Sequence, residues 1–126
     1  TENVYEGSCH CGFILFSIHA NIDHLRICDC SVCHKRGAMM FRISADRLVL
    51  HRPLSDLNCY RWGSRTGADY FCPHCGILPF RKPSALTTKE RSEGQKPFTG
   101  WAINVLCLDG IDISTLPRRF IRGSQI

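Results

Sequence analysis

The sequence contains no long apolar run, no internal repeat and no linker that would divide it. No stretch approaches the roughly 20 consecutive apolar residues that a membrane-spanning helix needs, so no membrane association is expected. The first residues, TENVYEGSCH, lack the charged and hydrophobic regions of a secretory signal peptide. Together these absences exclude a repeat protein and predict one cytoplasmic domain.

Composition and length are those of an ordinary globular protein. Hydrophobic residues make up 44% and charged residues 21% of the 126 residues, so neither a disordered chain nor a fibrous repeat is indicated. A domain of this size buries roughly two thirds of the surface that its unfolded chain exposes. We therefore expect a single domain spanning residues 1–126 that folds around its own core.

Helical periodicity is scarce, whereas strand signals are frequent. Most apolar runs are short, β-branched or aromatic, and end at Gly, Pro or Asp, as is typical of strands. Helix is limited to about one turn at residues 32–36. The sequence predicts a mainly β fold, with strands at 13–20, 57–63, 68–72 and 100–110 and two strands within 39–52, joined at Ser44, Ala45 and Asp46.

One long polar segment lies among the strands. Residues 84–100, SALTTKERSEGQKPFTG, are rich in charge and poor in apolar side chains, which predicts a mobile loop. Long loops in small domains are often binding loops or lids. A surface insertion without a function is the alternative.

Cysteine is the exception in an otherwise ordinary composition. The chain has nine cysteines, an odd number, and seven of them fall into tight groups. The groups are Cys9 with Cys11, Cys28 with Cys30 and Cys33, and Cys72 with Cys75. Such spacing directs several thiols at one point, which is typical of metal sites in a reducing compartment and unusual for a disulfide framework.

Two of these groups combine into a closed zinc site. In CPHCG (72–76) two cysteines precede a glycine, as in a zinc knuckle, where a tight turn directs N–H groups at sulfur and glycine accepts a positive φ. CHCG (9–12) is a shorter half-site with the same glycine. Cys9, Cys11, Cys72 and Cys75 therefore predict a structural four-cysteine tetrahedron. Four buried free cysteines that pack as small hydrophobic side chains are the alternative.

The third group, in CDCSVCHKRG (28–37), offers three thiols and no obvious fourth ligand. Structural zinc sites are closed, whereas catalytic sites usually have three protein ligands and one open position for water or substrate. Cys28, Cys30 and Cys33 therefore predict an open, catalytic zinc site. The alternatives are a triplet without metal and a site closed by His34, Cys59 or Cys107.

A site made of three thiolates favours sulfur chemistry over hydrolysis. The thiolates donate strongly to zinc and leave it a weak Lewis acid, so activation of water is not expected. Such a site suits a soft thiol substrate, and coordination deprotonates a thiol whose free pKa is about 8.5. We therefore expect the triplet to hold a substrate sulfur, as nucleophile in one direction and as leaving group in the other.

Five motifs, in order along the chain, resemble those of the glutathione-dependent formaldehyde-activating enzyme family, also called the centromere-protein-V-like family. They are GSCHCG (7–12), CDCSVCHKRGA (28–38), YRWGS (60–64), YFCPHCGILPF (70–80) and INVLCLDG (103–110). Each motif alone is modest, but five of them in order with suitable spacing identify the chain as a member of this family.

The resemblance implies a mainly β, Mss4-like fold of several curled antiparallel sheets, with one structural and one catalytic zinc ion. By the resemblance, the structural zinc is held by Cys9, Cys11, Cys72 and Cys75, and the catalytic zinc by Cys28, Cys30 and Cys33. The resemblance also implies that carbon–sulfur bonds are formed or cleaved in glutathione adducts such as S-(hydroxymethyl)glutathione. The basic tail LPRRFIRGSQI and the segment 84–100 depart from the family pattern. The expected substrate is therefore left as an adduct of glutathione or of a similar thiol.

The formal net charge of +5 is compatible with an anionic substrate. Arginine binds carboxylates through paired donors, and glutathione has two carboxylates. We predict that Arg36, Trp62 and Arg65 contact the substrate. A solvated basic surface, and a core position for Trp62, are the alternatives. The basic residues near the motifs are Lys35, Arg36, Arg61, Arg65, Arg81 and Lys82.

A different class of function is a zinc-binding module without enzymatic activity, whose basic surface binds nucleic acid or a protein partner. A nucleic-acid surface would be a continuous basic stripe with exposed aromatic residues. Here acidic residues interrupt the basic ones, which argues against nucleic acid. The acidic residues are Asp46, Asp56, Asp69 and Glu90.

Overall fold

The computed structural model describes residues 3–122 and contains ten strands in two sheets. A three-stranded sheet has the order β1-β2-β5, and a seven-stranded sheet has the order β10-β3-β4-β9-β8-β7-β6. The strands are β1 (Asn3–Ser8), β2 (Leu15–Ala20), β3 (Leu25–Cys28), β4 (Met40–Ile43), β5 (Leu48–Leu50), β6 (Asn58–Tyr60), β7 (Ala68–Phe71), β8 (Phe80–Lys82), β9 (Trp101–Asn104) and β10 (Arg118–Ile121). Two short helices, α1 (Ser31–Arg36) and α2 (Thr88–Ser92), complete the fold.

The main core lies between the inner faces of the two sheets. Alternation along β2 directs Phe16 and Ile18 inward, where both are fully buried, and leaves Leu15 exposed. The Phe16 ring meets the Phe80 ring edge-on, with centroids 5.6 Å apart. Gly7 makes room for this ring, since a Cβ atom there would lie 2.4 Å from Cζ of Phe16. Full burial of each large apolar side chain contributes about 1.5–3 kcal/mol.

The other face of the seven-stranded sheet carries several charged side chains. Arg42 on β4 is opposite Ala102 on β9, Ala102 is opposite Arg81 on β8, and Arg81 is opposite Asp69 on β7. Directly opposed residues on neighbouring strands share a face. A small apolar cluster of Ala38, Met40, Leu78 and Ala102 packs on the same side. This face is one wall of the cavity described below.

The predicted mainly β fold is confirmed, as are most of the predicted elements. β2, β6 and β7 lie within the predicted segments 13–20, 57–63 and 68–72. β4 and β5 lie within 39–52 and are joined by a short 3₁₀ turn at Ala45–Arg47. The helical turn predicted at 32–36 corresponds to α1.

Two predictions need correction. The strand predicted over 100–110 ends at Asn104, because the Asn104 side chain accepts the N–H of Leu106 and starts a 3₁₀ turn at Val105–Cys107. The segment 84–100, predicted as a loop, contains α2, which Thr87 and Glu90 start with a reciprocal capping box.

The sheets are antiparallel at every pairing between the described strands except one. β10 pairs in parallel with β3, with Arg118 opposite Leu25 and Ile121 opposite Cys28. β1, β3, β8 and β10 are absent from the sequence prediction. Across residues 3–122, no helix has the length and apolar character needed to cross a membrane.

Candidate metal centres and their cavity

The first cysteine group brings together the ends of β1 and β7. The Sγ atoms of Cys9, Cys11, Cys72 and Cys75 all lie within 4.8 Å of one another. Sγ of Cys11 is 3.7 Å from that of Cys9 and 3.6 Å from that of Cys72. Four thiolates at 2.3 Å from a tetrahedral zinc ion would be separated by about 3.8 Å. The group therefore fits a closed zinc site and links two segments of chain that are distant in sequence.

Two similar turns shape this group. The N–H of Ile14 donates to Sγ of Cys9 at 3.3 Å, and the N–H of His74 donates to Sγ of Cys72 at 3.3 Å. The turns continue through Gly12 and Gly76, whose φ angles are 84° and 78°. A positive φ costs glycine little. The knuckle geometry predicted from CHCG and CPHCG is confirmed.

Backbone donors and neighbouring sulfurs set the acidity of these thiols. The N–H of Ile77 is the main cause that lowers the pKa of Cys75 to about 6. At Cys11 the N–H of Phe13 lowers the pKa, but desolvation and the sulfurs of Cys72, Cys9 and Cys75 outweigh it and raise the pKa to about 11. The group thus favours thiolates at some positions and needs a cation to stabilise all of them together.

The second group is built at the junction of β3 and α1. Cys28 ends β3, Cys30 caps the N-terminus of α1, and Cys33 lies within the helix. Gly37, with φ 67°, ends α1 by donating its N–H to the Cys33 carbonyl at 3.0 Å. The three Sγ atoms lie within 4.8 Å of one another. This arrangement fits three ligands of a metal ion.

The three thiols of this triplet oppose one another's ionisation. Hydrogen bonding with Cys28, followed by burial and the contact with Cys30, raises the pKa of Cys33 far above its usual range. Three adjacent thiolates require a compensating positive charge, and a soft divalent cation such as zinc provides it. The chemistry of the triplet therefore suits zinc.

None of the residues considered for closing the triplet joins it in the described chain. The metal-ligating atoms that converge here belong to Cys28, Cys30 and Cys33 alone among His, Cys, Asp and Glu of residues 3–122. Cys107 lies by the first group instead, where burial and the nearby Cys9 and Cys75 raise its pKa to about 11. Cys59 is exposed on β6, and His34 is exposed on α1.

A cavity of about 620 Å³ opens beside the triplet. Binding pockets for small molecules usually have volumes of roughly 300–1,000 Å³. The triplet forms one wall, the polar face of the large sheet another, and the segment 84–100 contributes Thr87 and Glu90 to a third. The sheet contributes Arg26, Met40, Arg42, Arg81 and Ala102, and the turn after β6 contributes Trp62, Gly63 and Ser64.

A buried carboxylate connects the triplet helix with this cavity. The Asp69 side chain is 1% exposed and accepts hydrogen bonds from Nε of Arg81 at 2.6 Å, Nη2 of Arg36 at 3.0 Å and Nε1 of Trp62 at 3.1 Å. Burial alone would raise the pKa of Asp69, but the hydrogen bonds and charges of Arg81 and Arg36 outweigh it and hold the pKa below its usual value. Arg36 lies on α1, whereas Trp62 and Arg81 line the cavity.

The structure places the three predicted substrate contacts differently. Trp62 lines the cavity. Arg36 is directed to Asp69, and Arg65 is exposed in a turn with φ 60°; neither is among the described residues that line the cavity. Sequence reasoning missed Arg26 and Arg42. Arg26 could have been found, because it lies two positions before Cys28 and alternation puts both side chains on one face of β3.

Two comparisons with known proteins agree with this architecture. A model of the glutathione-dependent formaldehyde-activating enzyme family matches residues 4–92, more than half of the chain, and the matched range contains all seven cysteines of both groups. The crystal structure of a Rhodobacter sphaeroides protein from a structural genomics programme is similar, with a TM-score of 0.71 and 28% sequence identity. The similarity covers 90% of this chain and 99% of that one. The chain belongs to the glutathione-dependent formaldehyde-activating enzyme family.

Proposed function

We propose that this protein is a zinc-dependent carbon–sulfur lyase or synthase that acts on adducts of glutathione or a similar thiol, such as S-(hydroxymethyl)glutathione. The observation that carries the proposal is the three-cysteine group on the wall of a 620 Å³ cavity, with no fourth ligand from residues 3–122. A three-ligand site facing a cavity is the arrangement that binds an exchangeable ligand. The family assignment supports chemistry on a glutathione adduct.

Cys28, Cys30 and Cys33 would hold the catalytic zinc, and Cys9, Cys11, Cys72 and Cys75 would hold a structural zinc. Zinc, when bound, would lower the pKa of a coordinated thiol, because the cation stabilises the thiolate. In the synthetic direction the thiolate sulfur attacks the carbonyl carbon of the aldehyde, and the carbonyl electron pair moves to oxygen, which takes a proton. In the reverse direction the hydroxyl loses its proton, the carbonyl reforms and the thiolate leaves.

Residues of the cavity position the reactants. Trp62 is the proposed substrate contact retained from the sequence, since its ring lines the cavity and its N–H is fixed on Asp69. Arg36 acts through the same carboxylate, by connecting α1 to the sheet. Thr87 and Glu90 lie where the segment 84–100 would limit access of water to the reacting atoms.

The domain and its compartment complete the proposal. We assign residues 1–126 to one zinc-binding domain of the type shared with centromere-protein-V-like proteins. We also propose a cytoplasmic location, because the seven grouped cysteines must stay reduced to bind zinc.

The test is the rate at which zinc-loaded protein equilibrates formaldehyde and glutathione with their adduct, measured by exchange NMR above the spontaneous rate. Wild-type protein is expected to accelerate the exchange, and Cys30→Ser to abolish the acceleration while remaining folded. Cys59→Ser is the matched control, since Cys59 is exposed and outside both groups. The contrary result is exchange at the spontaneous rate with fully zinc-loaded wild-type protein, for formaldehyde and for larger aldehydes. That result would reject the lyase proposal in favour of a zinc-binding module without enzymatic activity.

A further inference from the structure

Two arginines lie on the same face of the sheet as the triplet. Arg26 and Cys28 are two residues apart on β3, so their side chains share a face. Arg26 is opposite Met40 on β4, and Arg42 is two residues further along that strand. The side chains that line the cavity include all four of these residues, Arg26, Cys28, Met40 and Arg42. The strand register thus places Arg26 next to Cys28, and Arg42 beyond Arg26 on the same wall of the cavity.

These two guanidinium groups differ from the third arginine of the cavity. Arg81 is paired with a carboxylate, because its Nε–H donates to Asp69 at 2.6 Å. No ion pair joins Arg26 or Arg42 to a carboxylate within residues 3–122, and the contact found for Arg42 is the ring of Phe98, 4.8 Å from its guanidinium carbon. Glu90 approaches Arg42 only as a more distant charge.

The local field at these arginines favours an anion. Burial and the positive charges of Arg26 and Arg81 lower the pKa of Arg42. Both side chains remain charged at neutral pH, because a guanidinium group is not deprotonated in proteins. An anion bound between them would relieve their mutual repulsion.

We infer that Arg26 and Arg42 form an anion subsite that binds a carboxylate of the thiol adduct, so that the protein selects adducts carrying a carboxylate. This inference rests on the proposed function, since it takes the adduct sulfur to bind at the triplet. The planar guanidinium groups match a carboxylate through paired N–H donors. The carboxylate belongs either to the thiol or to the aldehyde part of the adduct, and the experiment separates these sources.

The test is calorimetric titration of zinc-loaded protein with two thiols of equal length. We expect 3-mercaptopropionate to bind at least about tenfold more tightly than neutral 3-mercaptopropanol, since hydrogen bonds to charged groups are the strong ones. Arg42→Gln and Arg26→Gln should each remove most of this preference. Lys96→Gln, which removes one exposed charge outside the cavity lining, should leave it unchanged. Arg42→Lys tests whether the paired donors matter beyond the charge.

A second arm locates the carboxylate. Adduct formation from 3-mercaptopropanol is compared for glyoxylate and acetaldehyde; a preference for glyoxylate that Arg42→Gln removes assigns the subsite to the aldehyde part. Equal binding of both thiols together with equal use of both aldehydes would overturn the subsite and leave the proposed function intact. A preference that survives in Arg26→Gln and Arg42→Gln would overturn it as well.

Failure of the proposed function has a different signature. In that case neither thiol binds to zinc-loaded protein, but propionate still shifts the guanidinium NMR signals of Arg26 and Arg42. Absence of such shifts at saturating propionate, with no thiol preference, would contradict the subsite directly. Variants that fail to fold are recognised by circular dichroism and replaced by Arg26→Met and Arg42→Met, which keep an unbranched side chain and remove the charge.

Discussion

Replacing Asp69 by asparagine should destabilise the fold and weaken metal binding at the triplet. Asp69 accepts three hydrogen bonds, from Arg81, Arg36 and Trp62. Asparagine has nearly the same size, but its side chain has one acceptor oxygen and an amide that donates. The substitution therefore removes a buried negative charge from between two guanidinium groups. The positive charges of Arg36 and Arg81 would then face one another without compensation.

The structure sets the size of the effect. A hydrogen bond to a charged group contributes about 1.5–3 kcal/mol, and breaking a buried ion pair costs about 3–5 kcal/mol. The side chains of Arg36 and Arg81 are 21% and 13% exposed, so water compensates for part of the loss. We expect a decrease of about 3 kcal/mol in the free energy of unfolding. Because Arg36 connects α1 to the sheet, triplet zinc affinity should also fall, by less than the roughly 10- to 100-fold caused by loss of a direct hydrogen-bond partner of a metal ligand.

Urea denaturation and chelator competition measure these two effects. Asp56→Asn is the matched control, since Asp56 is 42% exposed and pairs with Arg52 at 3.1 Å on the surface, where such pairs contribute at most about 1 kcal/mol. The pKa of Asp69 is lowered, so its contribution is complete above the unfolded value near 3.9 and is lost only as the pH falls through the folded value. The stability difference should therefore be constant from pH 6 to 8. An Asp69→Asn protein as stable and as metal-retentive as Asp56→Asn would refute the reasoning.

Three further predictions concern the metal groups and one glycine. Cys72→Ser should misfold or precipitate, because structural zinc binding contributes about 10 kcal/mol or more to folding in small zinc domains, whereas Cys30→Ser should stay folded; equal loss of circular dichroism would contradict separate roles. A mild chelator should remove zinc from the triplet before the closed group, as read by metal analysis alongside circular dichroism, and simultaneous loss of metal and fold would be the contrary result. Gly100→Ala should unfold the protein at low denaturant, since its Cβ would lie 1.9 Å from the Ile43 carbonyl oxygen; Gly94→Ala, with open space around its Cβ, is the comparison, although its φ of 79° adds strain.

Local spacing explains why the cysteine groups could be predicted from the sequence. In CPHCG the turn, the N–H donors and the glycine all lie within five consecutive residues, so the sequence determines the knuckle without reference to the rest of the fold. The capping box of Thr87 and Glu90 is equally local. The prediction of a loop over 84–100 was made without recognising this N-terminal capping motif. Structural motifs whose interacting residues all lie within one turn can be recognised in a single sequence.

The cavity depends on contacts between distant segments, which the sequence does not reveal. Arg26, Arg42 and Arg81 lie on three different strands, and only the order β3-β4-β9-β8 brings them to one wall. β10 pairs with β3 across about ninety intervening residues of chain, and its four residues carry no alternation that would mark a strand. The role of Asp69 is hidden for the same reason, because Arg36, Trp62 and Arg81 come from three separate segments.

The central claim is that the triplet has one exchangeable position that binds a substrate sulfur. Cobalt placed in both sites makes this position visible, because the intensity of thiolate-to-cobalt absorption follows the number of bound sulfurs. Adding glutathione should raise the triplet signal from three sulfurs to four, saturably, and Cys33→Ser should weaken the effect while leaving the signal of the closed group unchanged. A triplet that already shows four sulfurs without added thiol, and a spectrum that does not change with glutathione, would contradict the claim.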